Sequence, residues 1–303
     1  MRLRHLSLAL TALAMFASAS CAAPEADSQA AGGPKPDAEV GTLEKDPAIA
    51  DMLPADIKSA GVVKVASGVS FPPMEYFDTD NKTVLGFDAD LGKALGEVLG
   101  VEFKFQNTNF DGIIGGLSAG RYDLGLTSMI DKKERQVKVD FVDYLSSGVT
   151  FMVTTGNPEG LTEQLDLCGR TVAVEKSATG DIVADDISAE CVEQGEEEIN
   201  ELPLPEQVAT LQALSSGRAD AVLALDLTLA YNVKQQPEEF ELAAEPFGRL
   251  PVGIVVPKDD PELRDAVQAA LLKVQESGTY DELLDKWNLT AQALEGAPIN
   301  TGK

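Results

Sequence analysis

Apolar positions along this chain keep switching between two rhythms. Val62-Val63-Lys64-Val65-Ala66 is a short strand pattern, and the loop after it carries Phe71-Pro72-Pro73-Met74-Glu75-Tyr76. Leu91, Ala94, Leu95, Val98 and Leu99 then recur at helical spacing behind Asp88 as N-cap, with Gly100 as terminator. Val101 to Phe105 reads as a strand, Asp111 to Ala119 as a helix and Tyr122 to Leu126 as a strand. Strands and helices taking turns in this way form βαβ units, so the pattern predicts an α/β fold with a mostly parallel sheet flanked by helices. Near the end, Asp260-Pro261 opens a helix with Leu263, Val267, Ala270, Leu271 and Val274 on one face, closed by Gly278. Tyr280, Leu283, Leu284 and Trp287 mark another, and core packing accounts for both.

One phrase of this pattern occurs twice. Leu117-Ser118-Ala119-Gly120-Arg121-Tyr122-Asp123 returns as Leu214-Ser215-Ser216-Gly217-Arg218-Ala219-Asp220. Each copy ends a helix at glycine and starts a buried strand, which predicts two lobes built on one plan.

The N-terminus follows neither rhythm. Arg2 and Arg4 precede an apolar stretch from Leu6 to Ala17, and Ser18, Ala19 and Ser20 lead to Cys21. A basic start, a short apolar run and small residues are the marks of an export signal, expected over 1–20. Cys21 stands where a bacterial lipoprotein would be acylated, although such a site usually has an aliphatic residue where this chain has Ser18; the other reading is ordinary cleavage beside a stray thiol. Cysteine parity favours the anchor. Of three cysteines, Cys168 and Cys191 are expected to pair in an oxidising compartment, leaving Cys21 over. From Ala22 to about Gly41 the chain is Ala, Gly, Pro and acidic residues, too poor in periodic apolar positions to fold alone, so 21–45 is expected to be a lipid-anchored tether.

Composition narrows the chemistry. With 303 residues and 44% hydrophobic content the body can bury a core. Fifty acidic against 24 basic residues give a formal charge of -26. Nucleic acid is therefore a poor partner, and the acidic field modestly favours zwitterions or cations at a cleft, although solubility alone accounts for acidic surface. The single histidine, His5, lies in the signal, so the mature chain has no imidazole for a Ser-His-Asp triad or a metal site. No cofactor and no catalytic residue are indicated.

Taken together, Phe71-Pro72-Pro73-Met74-Glu75, Gly86-Phe87-Asp88-Ala89-Asp90-Leu91, Asn109-Phe110-Asp111-Gly112, Glu134-Arg135, Val139-Asp140-Phe141, Ser216-Gly217-Arg218-Ala219-Asp220 and Gly278-Thr279-Tyr280 resemble the family 3 solute-binding proteins of bacterial ABC importers, the polar amino acid type with the type II periplasmic fold. Cys168-Gly169 with Cys191 is similar to a lipid-anchored subgroup. The resemblance implies two lobes joined by two crossing strands, near Val149 to Thr154 and Leu250 to Val255. Lobe 1 would comprise 46–152 with 251–295, lobe 2 would comprise 153–250, and 296–303 would form a C-terminal tail. It also implies a monomer outside the cell membrane that passes an amino acid or related carboxylate to an ABC permease.

The same resemblance offers a ligand shell. Arg135 aligns with an arginine that grips the ligand carboxylate, a role suited to a guanidinium in a dry cleft; otherwise it is one more cation in the run Lys132, Lys133, Arg135, Lys138. Phe71 and Phe110 match aromatic residues that sandwich the ligand; core packing is the alternative for both, and for Phe110 a staple on the helix that follows it accounts for the residue equally. Thr127 and Ser128 would supply hydroxyl and backbone donors, and Thr179 would donate to the carboxylate, or simply cap a helix. The chain departs from the pattern where Gly68 and Leu225 replace aspartates that hold an ammonium, and where Ile130 replaces a threonine or serine. Asp226 or Glu75 would substitute for them, or the ligand would be a carboxylate with a differently placed cation. Two rival readings remain: a cyclohexadienyl-dehydratase-like enzyme using Glu75, Asp111 or Asp226 as its acid, and a receptor that docks on a signalling partner.

Overall fold

The computed structural model describes residues 40–303; the export signal, Cys21 and most of the tether lie outside the described residues. Two short helices, α1 (Pro47–Ala50) and α2 (Ala55–Ala60), lead into β1 (Val62–Ser67). A small hairpin of β2 (Tyr76–Phe77) and β3 (Val84–Leu85) precedes α3 (Phe87–Leu99), then come β4 (Glu102–Asn107), α4 (Ile113–Ser118), β5 (Leu124–Gly125) and α5 (Lys133–Gln136). The long strand β6 (Val139–Thr154) crosses into the second half, which holds β7 (Thr171–Glu175), α6 (Thr179–Gln194), β8 (Asn200–Leu204), α7 (Gln207–Ser215), β9 (Ala221–Leu225), α8 (Asp226–Gln235) and β10 (Phe240–Leu242). β11 (Phe247–Pro257) crosses back, and α9 (Pro261–Glu276) and α10 (Thr279–Trp287) finish on the first half.

The strands run in the order β4-β1-β5-β11-β6-β9-β7-β8, with β10 also pairing β6. β1 lies parallel between β4 and β5, and β7 lies parallel between β8 and β9. Each trio is then closed by one antiparallel crossing strand, β11 against β5 and β6 against β9. The crossing strands pair with each other from Val149↔Phe247 to Val139↔Pro257. This is the two-lobed α/β architecture that the alternation predicted, with both lobes wound alike.

The repeated phrase shows why they are alike. After α4, Gly120 takes φ +66°; Asp123 then accepts from the Lys64 N–H of β1 through Oδ2 at 2.7 Å, while its own N–H donates to the Lys64 carbonyl. After α7, Gly217 takes φ +70°, and Asp220 makes the same pair of bonds with Thr171 of β7 at 2.8 Å. In each lobe one aspartate side chain fixes where the third strand joins the first.

Asp88, expected as the N-cap of α3, is instead its second residue and fully buried; Gly86 is the N-cap. A Cβ at Gly86 would stand 2.0 Å from the Met74 carbonyl oxygen and φ there is +129°, so glycine lets the 71–75 turn lie against the helix start. Cys168 and Cys191 form the expected disulfide, tying the approach to β7 to α6. At the end of the chain Ile299 bridges Val142, the Thr301 hydroxyl donates to Asp143, Asn300 donates to Asp140, and the Gly302 N–H donates to Asp131. Residues 296–303 are thus a strap fastened along a crossing strand. Among the described residues no helix is long and apolar enough to span a membrane.

Candidate functional site

Parallel strands of both lobes end facing each other, which is where open α/β sheets take ligands. A narrow cavity lies there, walled by Gly68, Phe71, Phe110, Thr127 and Ser128 of the first lobe and by Glu175, Ala178, Thr179, Gly180, Gln207 and Leu223 to Leu225 of the second. Five of the eight sequence-predicted ligand residues are in this wall: Phe71, Phe110, Thr127, Ser128 and Thr179. Glu75, Arg135 and Asp226 are not.

The lobes are drawn together by polar ties. Arg135 is 7% exposed, lies 5.4 Å from the centre of the Phe110 ring, and donates at 2.8 Å to two carbonyls: Ile130 of its own lobe and Ser177 of the other. Burial brings its pKa down to about 10, so it keeps its charge. The Thr228 hydroxyl donates to the Pro72 carbonyl at 2.6 Å, and Lys176 pairs with Asp111 at 2.8 Å. In this closed arrangement the bonds of Arg135 join the lobes and do not enter the cavity.

Behind the first-lobe wall lies a carboxyl pair. The Thr127 hydroxyl accepts from the Gly68 N–H and donates to Glu75 Oε1 at 3.0 Å. Asp88 accepts from the Ser128 N–H at 2.9 Å and from the Tyr144 hydroxyl at 2.7 Å. Burial, then the charge of Asp88, holds the Glu75 carboxyl well above the usual range, and burial pushes Asp88 up to about 6 despite its donors. Glu75 Oε2 is buried and has no hydrogen-bond partner, as fits a carboxyl that burial and the neighbouring Asp88 keep from ionising. The pair fixes Ser128, which holds φ +51°, and engages the Thr127 hydroxyl and the Ser128 N–H and hydroxyl, which were expected to donate to a ligand. Asp226, 5% exposed, is likewise occupied: its Oδ1 accepts from the Ser147 hydroxyl of β6 at 2.6 Å.

In the opposite wall α6 begins at Thr179 with no side chain capping it, since Ala178 is the N-cap and Ser177, at φ +62°, turns its N–H to Asp181. A Cβ on Gly180 would stand 2.1 Å from the Leu223 carbonyl oxygen, so only glycine lets the helix start press on β9. The N-terminus of this sixteen-residue helix therefore faces the cavity with free donors and the positive end of its dipole.

A model of the bacterial extracellular solute-binding proteins, family 3, matches residues 63–290. The chain belongs to that family. This family 3 solute-binding protein is 30% identical over 257 residues to the arginine-binding protein ArgT of Corynebacterium glutamicum, covering 84% of this chain and 83% of that one. Its fold superposes on holo ArgBP of T. maritima with a TM-score of 0.67 at 30% identity, covering 78% of this chain and 100% of that one. It also matches a structure described as the ancestral amino acid-binding protein AncCDT-1, a precursor of cyclohexadienyl dehydratase, with a TM-score of 0.69 at 30% identity, covering 77% and 97%.

Three buried polar side chains at or behind this cavity carry no plain signal of that placement in the sequence pattern: Asp88, expected as a cap, and Glu175 and Gln207 in the wall. Glu175 has an indirect one, because a carboxylate closing the run Thr171-Val172-Ala173-Val174-Glu175 sits at the ligand end of a parallel strand.

Proposed function

We propose that this protein is the extracytoplasmic capture component of an amino-acid ABC importer, closing lobe 1 (46–152 with 251–295) and lobe 2 (153–250) over one small amino acid or related carboxylate. The observation that carries the reading is the uncapped start of α6 in a closed cavity whose other wall is aromatic. The ligand carboxylate sits on the N–H groups and hydroxyl at Thr179, Phe71 and Phe110 cover its apolar part, and Arg135 latches the lobes once they meet. The names of the arginine-binding relatives and the share of chain they cover support an amino-acid ligand. Lipidated Cys21 anchors a monomer to the outer face of the cell membrane, within reach of its permease.

A binding role is preferred to catalysis on a specific ground. Asp111 is paired with Lys176, Asp226 is held by Ser147, and Glu75 lies behind Thr127, so none of the three candidate acids faces the cavity. Glu175 is the only carboxyl among the lining residues, so the wall itself offers no second one to act as base. Incubation with prephenate or arogenate is expected to yield no product; a product peak would replace binding by catalysis.

A thermal-shift screen of the purified body against amino acids, opines, betaines and organic acids tests the reading. A ligand at a hundredfold excess over its dissociation constant stabilises by about 2.7 kcal/mol. If no member of these classes raises the melting temperature, the reading fails.

A further inference from the structure

Glu175 sits in the cavity wall at 6% exposure, and among the described residues its carboxyl has no hydrogen bond and no ion pair. A buried carboxylate without a partner is costly, and native structures seldom keep one unless something else supplies the charge. The charged groups around it do not. Glu206 at the start of α7, Asp111 across the cleft and Glu75 behind Thr127 are all acidic, and the nearby cation Lys176 is engaged with Asp111. Burial first, and then Glu206 and Asp111, push Glu175 up to about 8. Gln207, 1% exposed and bonded to Thr210, lines the same wall, and the Phe71 and Phe110 rings offer faces that attract cations.

We infer that Glu175 is the selectivity residue of this cavity, accepting an ammonium or guanidinium in the side chain of the ligand. The inference rests on the amino-acid reading above and deepens it. A zwitterion brings no net charge into this acidic surround, because its carboxylate cancels its α-ammonium. An amino acid with a cationic side chain brings one full positive charge, which the wall lacks once the ligand carboxylate has taken the partial charge at the start of α6. Seating that cation ionises Glu175, so binding near neutral pH releases a proton to solvent.

The test is calorimetry with arginine, lysine, citrulline and glutamine at pH 7, in two buffers of different ionisation enthalpy, on the wild type and on Glu175→Gln. Arginine or lysine is expected to bind at least about tenfold tighter than citrulline and glutamine, as one charged hydrogen bond allows, with up to one proton released. Glu175→Gln should abolish both the preference and the proton release, and should melt no lower than the wild type without ligand. Equal binding of charged and neutral amino acids, or tighter binding of the neutral ones, removes Glu175 from selectivity and leaves the solute reading standing. So does a preference that survives in Glu175→Gln. If none of the four ligands binds the wild type, this assignment falls, and the solute reading stands or falls separately on the wider thermal-shift screen. Should the variant fail to fold, the wild-type preference and proton count decide alone.

Discussion

At the scale of single residues, the molecule spends its polar atoms on joining the lobes. Arg135 gives its two hydrogen bonds to main-chain carbonyls, one in each lobe, and both bonds draw on a charged donor. Arg135→Ala is therefore expected to weaken ligand binding at least about tenfold, since each such bond contributes about 1.5 to 3 kcal/mol, while the open protein keeps its fold. Calorimetry on the variant decides it, and an unchanged affinity would remove Arg135 from closure. Gly180 acts by what it leaves out. An alanine methyl would meet the Leu223 carbonyl at 2.1 Å, so Gly180→Ala should cost about 1 to 3 kcal/mol as an overpacking change and lower affinity by moving the start of α6. Gly115, in the middle of α4, has only open space within 4 Å of where a methyl would stand and is the matched control: Gly115→Ala should leave the melting temperature equal or slightly higher.

At the scale of elements, what could be read from the chain was whatever its neighbours in sequence dictate. The helical spacing of Leu91 to Leu99 and of Leu263 to Val274 is local, and α3 and α9 formed where it recurs. The two Gly-Arg-x-Asp phrases were legible as copies because the same aspartate bond to the first strand requires the same residues. Asp88 and Glu175 were not legible as buried groups, because their burial is made by elements far away in the chain, Tyr144 on β6 for one and the opposite lobe for the other. The Ser177 carbonyl that receives Arg135 is main chain and leaves no mark in the side-chain pattern. The C-terminal strap was hidden likewise: its anchors Asp131, Asp140 and Asp143 lie more than a hundred residues before it. Deleting residues 297–303 should cost a few kcal/mol by removing these bonds and leaving Asp143 without a donor, while Asp140 keeps Arg264 and Lys258 and Asp131 keeps Gln136; a melting curve within about 1 °C of the full chain would show the strap to be idle. The Cys168–Cys191 disulfide closes a separation of 23 residues, so replacing both cysteines by serine should cost about 3 kcal/mol, read by denaturant titration.

At the scale of the whole molecule, a chain of formal charge -26 stores several carboxyls that resist ionisation. Burial pushes Glu175 up to about 8 and Asp88 and Asp143 up to about 6, and holds Glu75 well above its usual range. A carboxyl whose folded pKa is raised favours the folded state while it is protonated. Its contribution is complete below the unfolded value near 4 and is lost as pH rises through the folded value. Asp140 works the other way: bonds from Asn300, Arg264 and Lys258 outweigh its burial and hold its pKa down, so its contribution fades in acid. The balance predicts greatest stability at about pH 4 to 5 and a decline from there to about pH 8, which should appear as a melting temperature several degrees higher at pH 5.5 than at pH 8.5. Repulsion among surface carboxylates would give the same sign, but salt separates the two causes. Exposed charges are screened beyond about 10 Å at 0.1 M ionic strength, whereas the desolvation of a buried carboxyl is not relieved by ions that cannot reach it. The decline should therefore persist in 0.5 M salt and flatten in Glu175→Gln; a slope that salt abolishes would assign it to the surface, and the buried carboxyls would then have no part in setting where this protein is most stable.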